Sequence, residues 1–335
     1  MFVWAHLGEF DKSFFHTTQH CSRKEDIIMG NTHNTGFDSA IEREIKEENK
    51  NDSQKRKPTN LANSSLTNKS LANKSLNYAT MFWFVTALFG QWFFFYYIMG
   101  FYGTSVINDN MEYWNVVFER FGVTPYIAGD SAGNLAFVAH AMGAGIVAFG
   151  GALQLIPKVR NSFPTFHKIN GYVYLTTVFC LAISGFYLVW IRDPDPVQIN
   201  GIGTTINGFL ILGFAYLTVR LAIKKDIANH RKWALRLFFV SNAQWILRVG
   251  TFSYLVTGNM LGMNPAFGDP FFYMWTFGCY VIPLLTLQLY FYAKERGSNR
   301  VKFATSGVLF AITVLMIMGM IGYTPFLLKV LSGNL

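Results

Sequence analysis

The chain has few cysteines and lacks the motifs that most often reveal soluble phosphate-transferring or zinc enzymes. Its three cysteines, Cys21, Cys180 and Cys279, are far apart in 335 residues, so they predict neither a disulfide framework nor a thiolate metal site. Neither a glycine-rich P-loop nor a His-Glu-x-x-His zinc motif occurs. Acidic residues are also missing from every long apolar stretch. These absences give no support to a soluble kinase or zinc hydrolase, and they leave enzymatic activity undecided.

Long apolar stretches are what the sequence has in abundance. About 20 apolar residues let a helix cross ~30 Å of hydrocarbon, and spans of this length must be helical to satisfy their backbone groups there. Seven such stretches follow Tyr78, so we predict an all-α fold, a seven-helix transmembrane bundle in a lipid bilayer. The predicted spans are 80–101, 133–156, 171–191, 203–223, 233–257, 271–293 and 303–328.

Residues 1–78 differ in composition from the rest of the chain. They are rich in Asn, Lys, Ser and Glu and hold too few apolar residues to form a core, which favours disorder. We therefore predict a disordered polar cytoplasmic tail over 1–78 and a seven-span transmembrane domain over 79–335. His6, His16, His20 and Cys21 lie in the tail, but their spacing matches no closed zinc pattern, and no metal site is predicted.

Charge is distributed unevenly between the predicted loops, because three loops are basic and the three that alternate with them are mostly acidic. The basic loops are 157–170, 224–232 and 294–302, and the acidic ones are 102–132, 192–202 and 258–270. Since Lys and Arg favour cytoplasmic loops, we predict a cytoplasmic N-terminus and an external C-terminus. The net charge of +9 follows largely from this topology, so no nucleic-acid partner is predicted.

Polar side chains interrupt the predicted spans, and such groups usually face the interior of a bundle. Gln244 and Arg248 lie one turn apart on the fifth span, and no span holds a carboxylate that could pair with Arg248. The guanidinium could extend to the outer interface and meet carbonyl groups there, or it could bind an anionic ligand. His140 and Asn207 lie at similar depth on other spans. The ligand-binding hypothesis places His140, Asn207, Gln244 and Arg248 around one cavity in the outer half of the bundle.

The membrane part holds three histidines, and each of them has two possible roles. His140 shares a helix face with Gly143 and Gly151, which favours a close helix–helix contact over a cleft for a flat cofactor with an axial histidine. His167 and His230 open two predicted spans on the cytoplasmic side. They are candidate ligands of one haem b, although interfacial histidines more often meet loops or lipid headgroups. Three histidines exclude two haems with two histidine ligands each.

These segments carry a resemblance to a known family. His140 and the glycine-rich helix up to Gln154, then His167-Lys-x-x-Gly-Tyr172, then His230-Arg-x-Trp233 followed by Arg248, resemble the bacterial predicted membrane protein family called domain of unknown function 2306. The resemblance covers about 133–257, with the first and the last two spans as an extension. It implies a multi-pass protein of a bacterial inner membrane and little chemistry.

Three functions remain open from the sequence. The first is a redox protein that binds one haem b or a quinone. The second is a transporter, or a protein that binds a lipid or a small anion at the His140 and Arg248 layer. The third is an accessory structural bundle without a ligand.

Overall fold

The computed structural model describes residues 60–119, 123–192 and 199–333, and these residues are helical apart from short connections. No strand occurs in these ranges, so the predicted all-α membrane fold is confirmed. The helices in chain order are α1 (Asn60–Ile98), α2 (Thr104–Ile107), α3 (Tyr113–Phe118), α4 (Ser131–Leu155), α5 (Pro157–Ser162), α6 (Pro164–Tyr187), α7 (Ile199–Ile223), α8 (Ile227–Ser241), α9 (Ala243–Met260), α10 (Pro270–Glu295) and α11 (Asn299–Ser332). Short π-helical segments, Met99–Gly103 and Leu188–Arg192, continue α1 and α6.

Six helical segments of the described part are long and apolar enough to cross a membrane. They are Asn68–Ile107, Ser131–Leu155, Pro164–Arg192, Asn200–Ile223, Pro270–Glu295 and Asn299–Ser332. The predicted fifth span, 233–257, is different, because two helices, α8 and α9, take its place and meet at Asn242. The predicted count of seven is therefore approximate: six continuous spans and one broken one.

The α8–α9 pair nevertheless runs the length of α10. Near the start of α8, the ammonium group of Lys232 lies 2.5 Å from the carboxylate of Glu295, the last residue of α10. On α9, the ring of Tyr254 stacks on Phe271 at the start of α10, with ring centroids 4.1 Å apart. The two short helices together thus cross the bundle antiparallel to α10.

Side chains near the break take up the carbonyl oxygens of the last turn of α8. Ser241 Oγ donates to the carbonyl of Leu237 at 2.8 Å, and Asn242 Nδ2 donates to that of Phe238 at 2.8 Å. Such local bonds compete with helical ones and disturb a helix. Asn207 on α7 donates its Nδ2 to the carbonyl of Val240 at 3.0 Å. The break is therefore held from a second helix as well as from within.

The N-terminal end of α1 differs from the prediction, which placed residues 60–78 in a disordered tail. The helix begins at Asn60, and Ala72 and Leu76 are buried, one turn apart. Leu76 packs with Ala293 and Leu309, and Lys302 donates to Asn73 Oδ1 at 2.7 Å. These contacts order a segment whose composition alone favours disorder. Residues 1–59 of the predicted tail lie outside the described residues.

An ion pair joins the loop before α4 to the end of α6. Asp130 accepts a hydrogen bond from the backbone N–H of Gly133 at 2.9 Å and one from Arg192 Nε at 2.9 Å. Arg192 also donates to Asn134 Oδ1 at 2.6 Å. The bond from the Gly133 N–H and then the bond from Arg192 lower the pKa of the Asp130 carboxyl below its ordinary value.

Candidate functional site

A cavity of about 210 Å³ lies between α7, α9 and α10, beside the break at Asn242. The lining is mixed, with polar groups from all three helices and a few apolar ones. Its residues are Asn200, Gly203, Thr204, Asn207, Ala243, Gln244, Leu247, Thr276, Cys279 and Tyr280. The first residues of α9 line it, and the first N–H groups of a helix have no partner within the helix. The cavity therefore combines side-chain polar groups with the positive end of a helix dipole.

Two of the side chains that line the cavity carry a buried polar atom without a hydrogen bond to any described residue. Asn207 Oδ1 and the Tyr280 hydroxyl are these atoms, and both residues are more than nine-tenths buried. The orientation of the Asn207 amide follows from its Nδ2, which must donate to the carbonyl of Val240. An unpartnered buried polar group costs about 1–3 kcal/mol. A ligand that offers a donor to Asn207 and an acceptor or donor to Tyr280 would remove that cost.

Gln244 connects this cavity to Arg248, one turn along α9. The Gln244 side chain lines the cavity, and its backbone carbonyl accepts a hydrogen bond from Arg248 Nη1 at 2.8 Å. The guanidinium lies over the ring of Phe94 on α1, 5.4 Å from its centroid, and interacts electrostatically with Tyr323 on α11. Arg248 therefore lies beside aromatic side chains of α1 and α11 and donates to a carbonyl oxygen of its own helix.

His140 lies near Arg248 but is bonded to a different helix. Its Nδ1 is 2.9 Å from Ser184 Oγ on α6, and its Cε1 lies close to Gly185. Arg248 is near enough to His140 for an electrostatic interaction between the two. The four predicted site residues thus form two pairs, Asn207 with Gln244 at the cavity and His140 with Arg248 beyond it. The single cavity containing all four stays a prediction.

His167 and His230 also lie near each other, close enough to interact electrostatically. His230 Nδ1 donates to the backbone carbonyl of Thr218 at 2.9 Å, which leaves Nε2 as the free ring nitrogen. The Nδ1 of His167 is buried and has no hydrogen bond within the described ranges. No group of three or more His, Cys, Asp or Glu side chains that could hold a metal ion occurs in the described part of the chain.

Four polar residues of the cavity were not among the predicted site residues: Asn200, Thr204, Thr276 and Tyr280. Two of them had a signal in the sequence. Asn200 and Thr204 precede Asn207 at spacings of seven and three, which puts all three on one face of α7. Tyr280 had no such signal, because tyrosine is common in the aromatic-rich spans.

The sequence Gly129-Asp-Ser-Ala-Gly133 has the letters of a hydrolase nucleophile elbow. That motif requires a strand before the serine and a helix after it. Here Ser131 is the first residue of α4 and is exposed, the residues at 123–127 form no strand, and Asp130 is the N-cap of the helix. The motif therefore forms the N-terminus of α4, where Asp130 pairs with Arg192. This context gives no support to Ser131 as a nucleophile.

Residues 137–291 match the sequence model of the family described as predicted membrane protein, domain of unknown function 2306. The match confirms the resemblance drawn from the sequence and extends it beyond 257 through most of α10. Of the membrane-crossing segments in the described residues, only the first and the last lie outside the match. The prediction that α10 belongs to the extension was therefore wrong. No curated protein and no solved structure matches the chain.

Proposed function

We propose that this chain is a bacterial inner-membrane protein that binds a small anionic molecule inside the bundle, in the cavity at the α8–α9 break. The observation that carries the proposal is that two residues lining this cavity, Asn207 and Tyr280, each have a buried polar atom without a hydrogen bond to a described residue. Broken helices are a recurrent way to build binding sites within membranes, since the N-terminus of a half-helix favours an anionic group. This role corresponds to a small-anion-binding protein or a transporter.

The size and charge of the site define the class of ligand. The cavity volume of about 210 Å³ is below the roughly 300–1,000 Å³ of drug-sized sites, which favours a small molecule. The start of α9 lines the cavity and Arg248 lies one turn beyond it, so the favoured ligand carries a carboxylate or a similar anion. Asn207 Oδ1 can only accept, so the same ligand needs a hydroxyl or amino donor. Small hydroxy- or amino-carboxylates meet both conditions.

Tyr280→Phe tests the proposal with the purified protein in lipid nanodiscs and a panel of small hydroxy- and amino-carboxylates. The change removes only the unpartnered hydroxyl, so the protein without ligand should keep its thermal midpoint or gain slightly. Binding should weaken about two- to tenfold, the effect of one net hydrogen bond. Tyr216→Phe, on the exposed face of α7, is the matched control and should bind like the wild type.

Two results would contradict the proposal. One is the absence of any carboxylate in the panel that raises the thermal midpoint of the wild-type protein. The other is equal affinity of Tyr280→Phe and Tyr216→Phe for the ligand that does raise it.

The proposed orientation puts the N-terminus in the cytoplasm and the C-terminus outside. The asymmetry of basic residues between the loops supports it, and α8–α9 supplies the odd crossing that it requires. Reporter fusions after Ser298 should read cytoplasmic and fusions after Asn200 external. The reverse pattern would invert the whole arrangement.

The proximity of His167 to His230 supports a second candidate, a redox protein with one haem b. The free Nε2 of His230 and the unpartnered Nδ1 of His167 are nitrogens of the right chemistry. An absorbance spectrum of the purified protein tests this candidate, because a haem band that disappears in His167→Ala would establish it. Quinone binding has no specific contact in its favour.

A further inference from the structure

Four basic side chains come together where α5, α6 and α8 begin or end. We call Arg160, His167, His230 and Arg231 the basic cluster. Arg160 lies on α5, His167 in the first turn of α6, and His230 and Arg231 near the start of α8. His167 interacts electrostatically with Arg160 and with His230, and Arg160 interacts with Arg231. The cluster is distinct from the cavity at the α8–α9 break.

Hydrogen bonds to backbone carbonyls fix the cluster in place. Gln154 Nε2 on α4 donates to the carbonyl of His167 at 2.9 Å, and His230 Nδ1 donates to that of Thr218 on α7 at 2.9 Å. Two carboxylates of this end of the bundle have other partners, since Asp226 bonds Asn229 at 2.7 Å and Glu295 pairs with Lys232. Neither carboxylate forms a salt bridge with Arg160.

Arg160 is the residue whose charge needs compensation. It is half-buried, and its guanidinium makes no hydrogen bond or salt bridge with the residues that the structure describes. Burial, and then the neighbouring charge of Arg231, lower its pKa, yet a guanidinium keeps its proton in proteins. The buried Nδ1 of His167 beside it lacks a hydrogen-bond partner among the same residues. A permanent cation thus lies within range of electrostatic interaction with a histidine whose ring nitrogen is unsatisfied.

We propose that the basic cluster binds a phosphate-type anion, either the headgroup of an anionic phospholipid or free inorganic phosphate. Arginine binds phosphate through parallel charge-assisted hydrogen bonds. Basic pockets between transmembrane helices on the cytoplasmic side also suit anionic headgroups. The cluster lies at the ends of membrane-crossing helices, on the side with the basic loops, where such headgroups are found.

Arg160→Gln and Lys158→Gln form a matched pair for the test. Both changes remove one positive charge from α5, but Lys158 is exposed and is not part of the cluster. The wild-type protein and both variants are purified in neutral detergent. Their thermal midpoints are then followed during titration with short-chain phosphatidylglycerol, with phosphatidylcholine, and with inorganic phosphate.

Phosphatidylglycerol or inorganic phosphate should raise the midpoint of the wild-type protein, whereas phosphatidylcholine should not. Arg160→Gln should weaken this binding at least tenfold, and Lys158→Gln less than twofold. A response to the lipid alone identifies a headgroup site, and a response to phosphate alone identifies a site for the free ion. Equal losses in both variants would show general surface attraction and overturn the proposal, as would the absence of any stabilisation. A haem band that depends on His167 would also overturn it.

Discussion

Replacing Gly319 by alanine should disrupt the contact between α9 and α11. A methyl group at Gly319 would overlap the backbone carbonyl oxygen of Val249 and would lie 2.9 Å from the carbonyl carbon. A backbone group cannot rotate away as a side chain can, so the helices must separate. Adding a methyl group to a packed core costs roughly 1–3 kcal/mol, and we expect a loss near the upper end of that range.

Gly307→Ala, on the same helix, provides the control. Outside the surrounding helical backbone, no atom of a described residue lies within 4 Å of the methyl group that this change would add. The better helix propensity of alanine should therefore leave stability unchanged or raise it by up to about 1 kcal/mol. Thermal midpoints in detergent and unfolding in mixed micelles with increasing dodecyl sulfate measure the difference. If Gly319→Ala is no less stable than Gly307→Ala, the close approach of α9 and α11 is refuted.

Three further predictions concern the ends of the bundle and Arg248. Deleting residues 1–59 should leave the thermal midpoint nearly unchanged. Deleting 1–74 should lower it, because this deletion removes buried Ala72 and the bond between Asn73 and Lys302. Equal midpoints of the two shortened proteins would contradict this prediction. The lowered pKa of Asp130 predicts that its carboxylate stabilises the fold fully above the ordinary pKa of 3.8. This stabilisation is lost as the pH falls through the folded-state pKa. In Asp130→Asn, the thermal midpoint should therefore fall less steeply at acidic pH than in the wild type. Arg248→Ala should reduce carboxylate binding more than it reduces the midpoint, and a large loss of stability without ligand would make the arginine structural.

The membrane-crossing helices could be predicted from sequence because hydrocarbon imposes both a length and a composition on them. The break at Asn242 could not be predicted this way, since apolar residues continue on both sides of it. Part of its hydrogen bonding comes from Asn207, which reaches the carbonyl of Val240 from another helix. The packing of Leu76 was missed for a similar reason, because its partners Ala293 and Leu309 lie on other helices, α10 and α11.

The candidate site was predicted in part. Depth along each span brought Asn207 and Gln244 into one layer, and both line the cavity. Depth does not define the direction in which a side chain points, so the separation of His140 and Arg248 from that cavity could not be read from spacing. The hydroxyl of Tyr280 contributes to the site only through its burial without a partner, a property that no sequence pattern records.

The division of the fifth crossing element affects how termini are assigned to compartments. An odd number of crossings puts the two ends of a chain on opposite sides of a membrane, and an even number puts them on the same side. Six uninterrupted helices in the described residues are long and apolar enough to cross a membrane. Neither α8 nor α9 alone meets this condition, because the break divides the pair and α8 carries four basic side chains. Under the proposed topology, an affinity tag or epitope designed from an even number of crossings would be assigned to the wrong side of the membrane. With the broken pair counted as one crossing and the N-terminus in the cytoplasm, a C-terminal tag is accessible from outside the cell membrane.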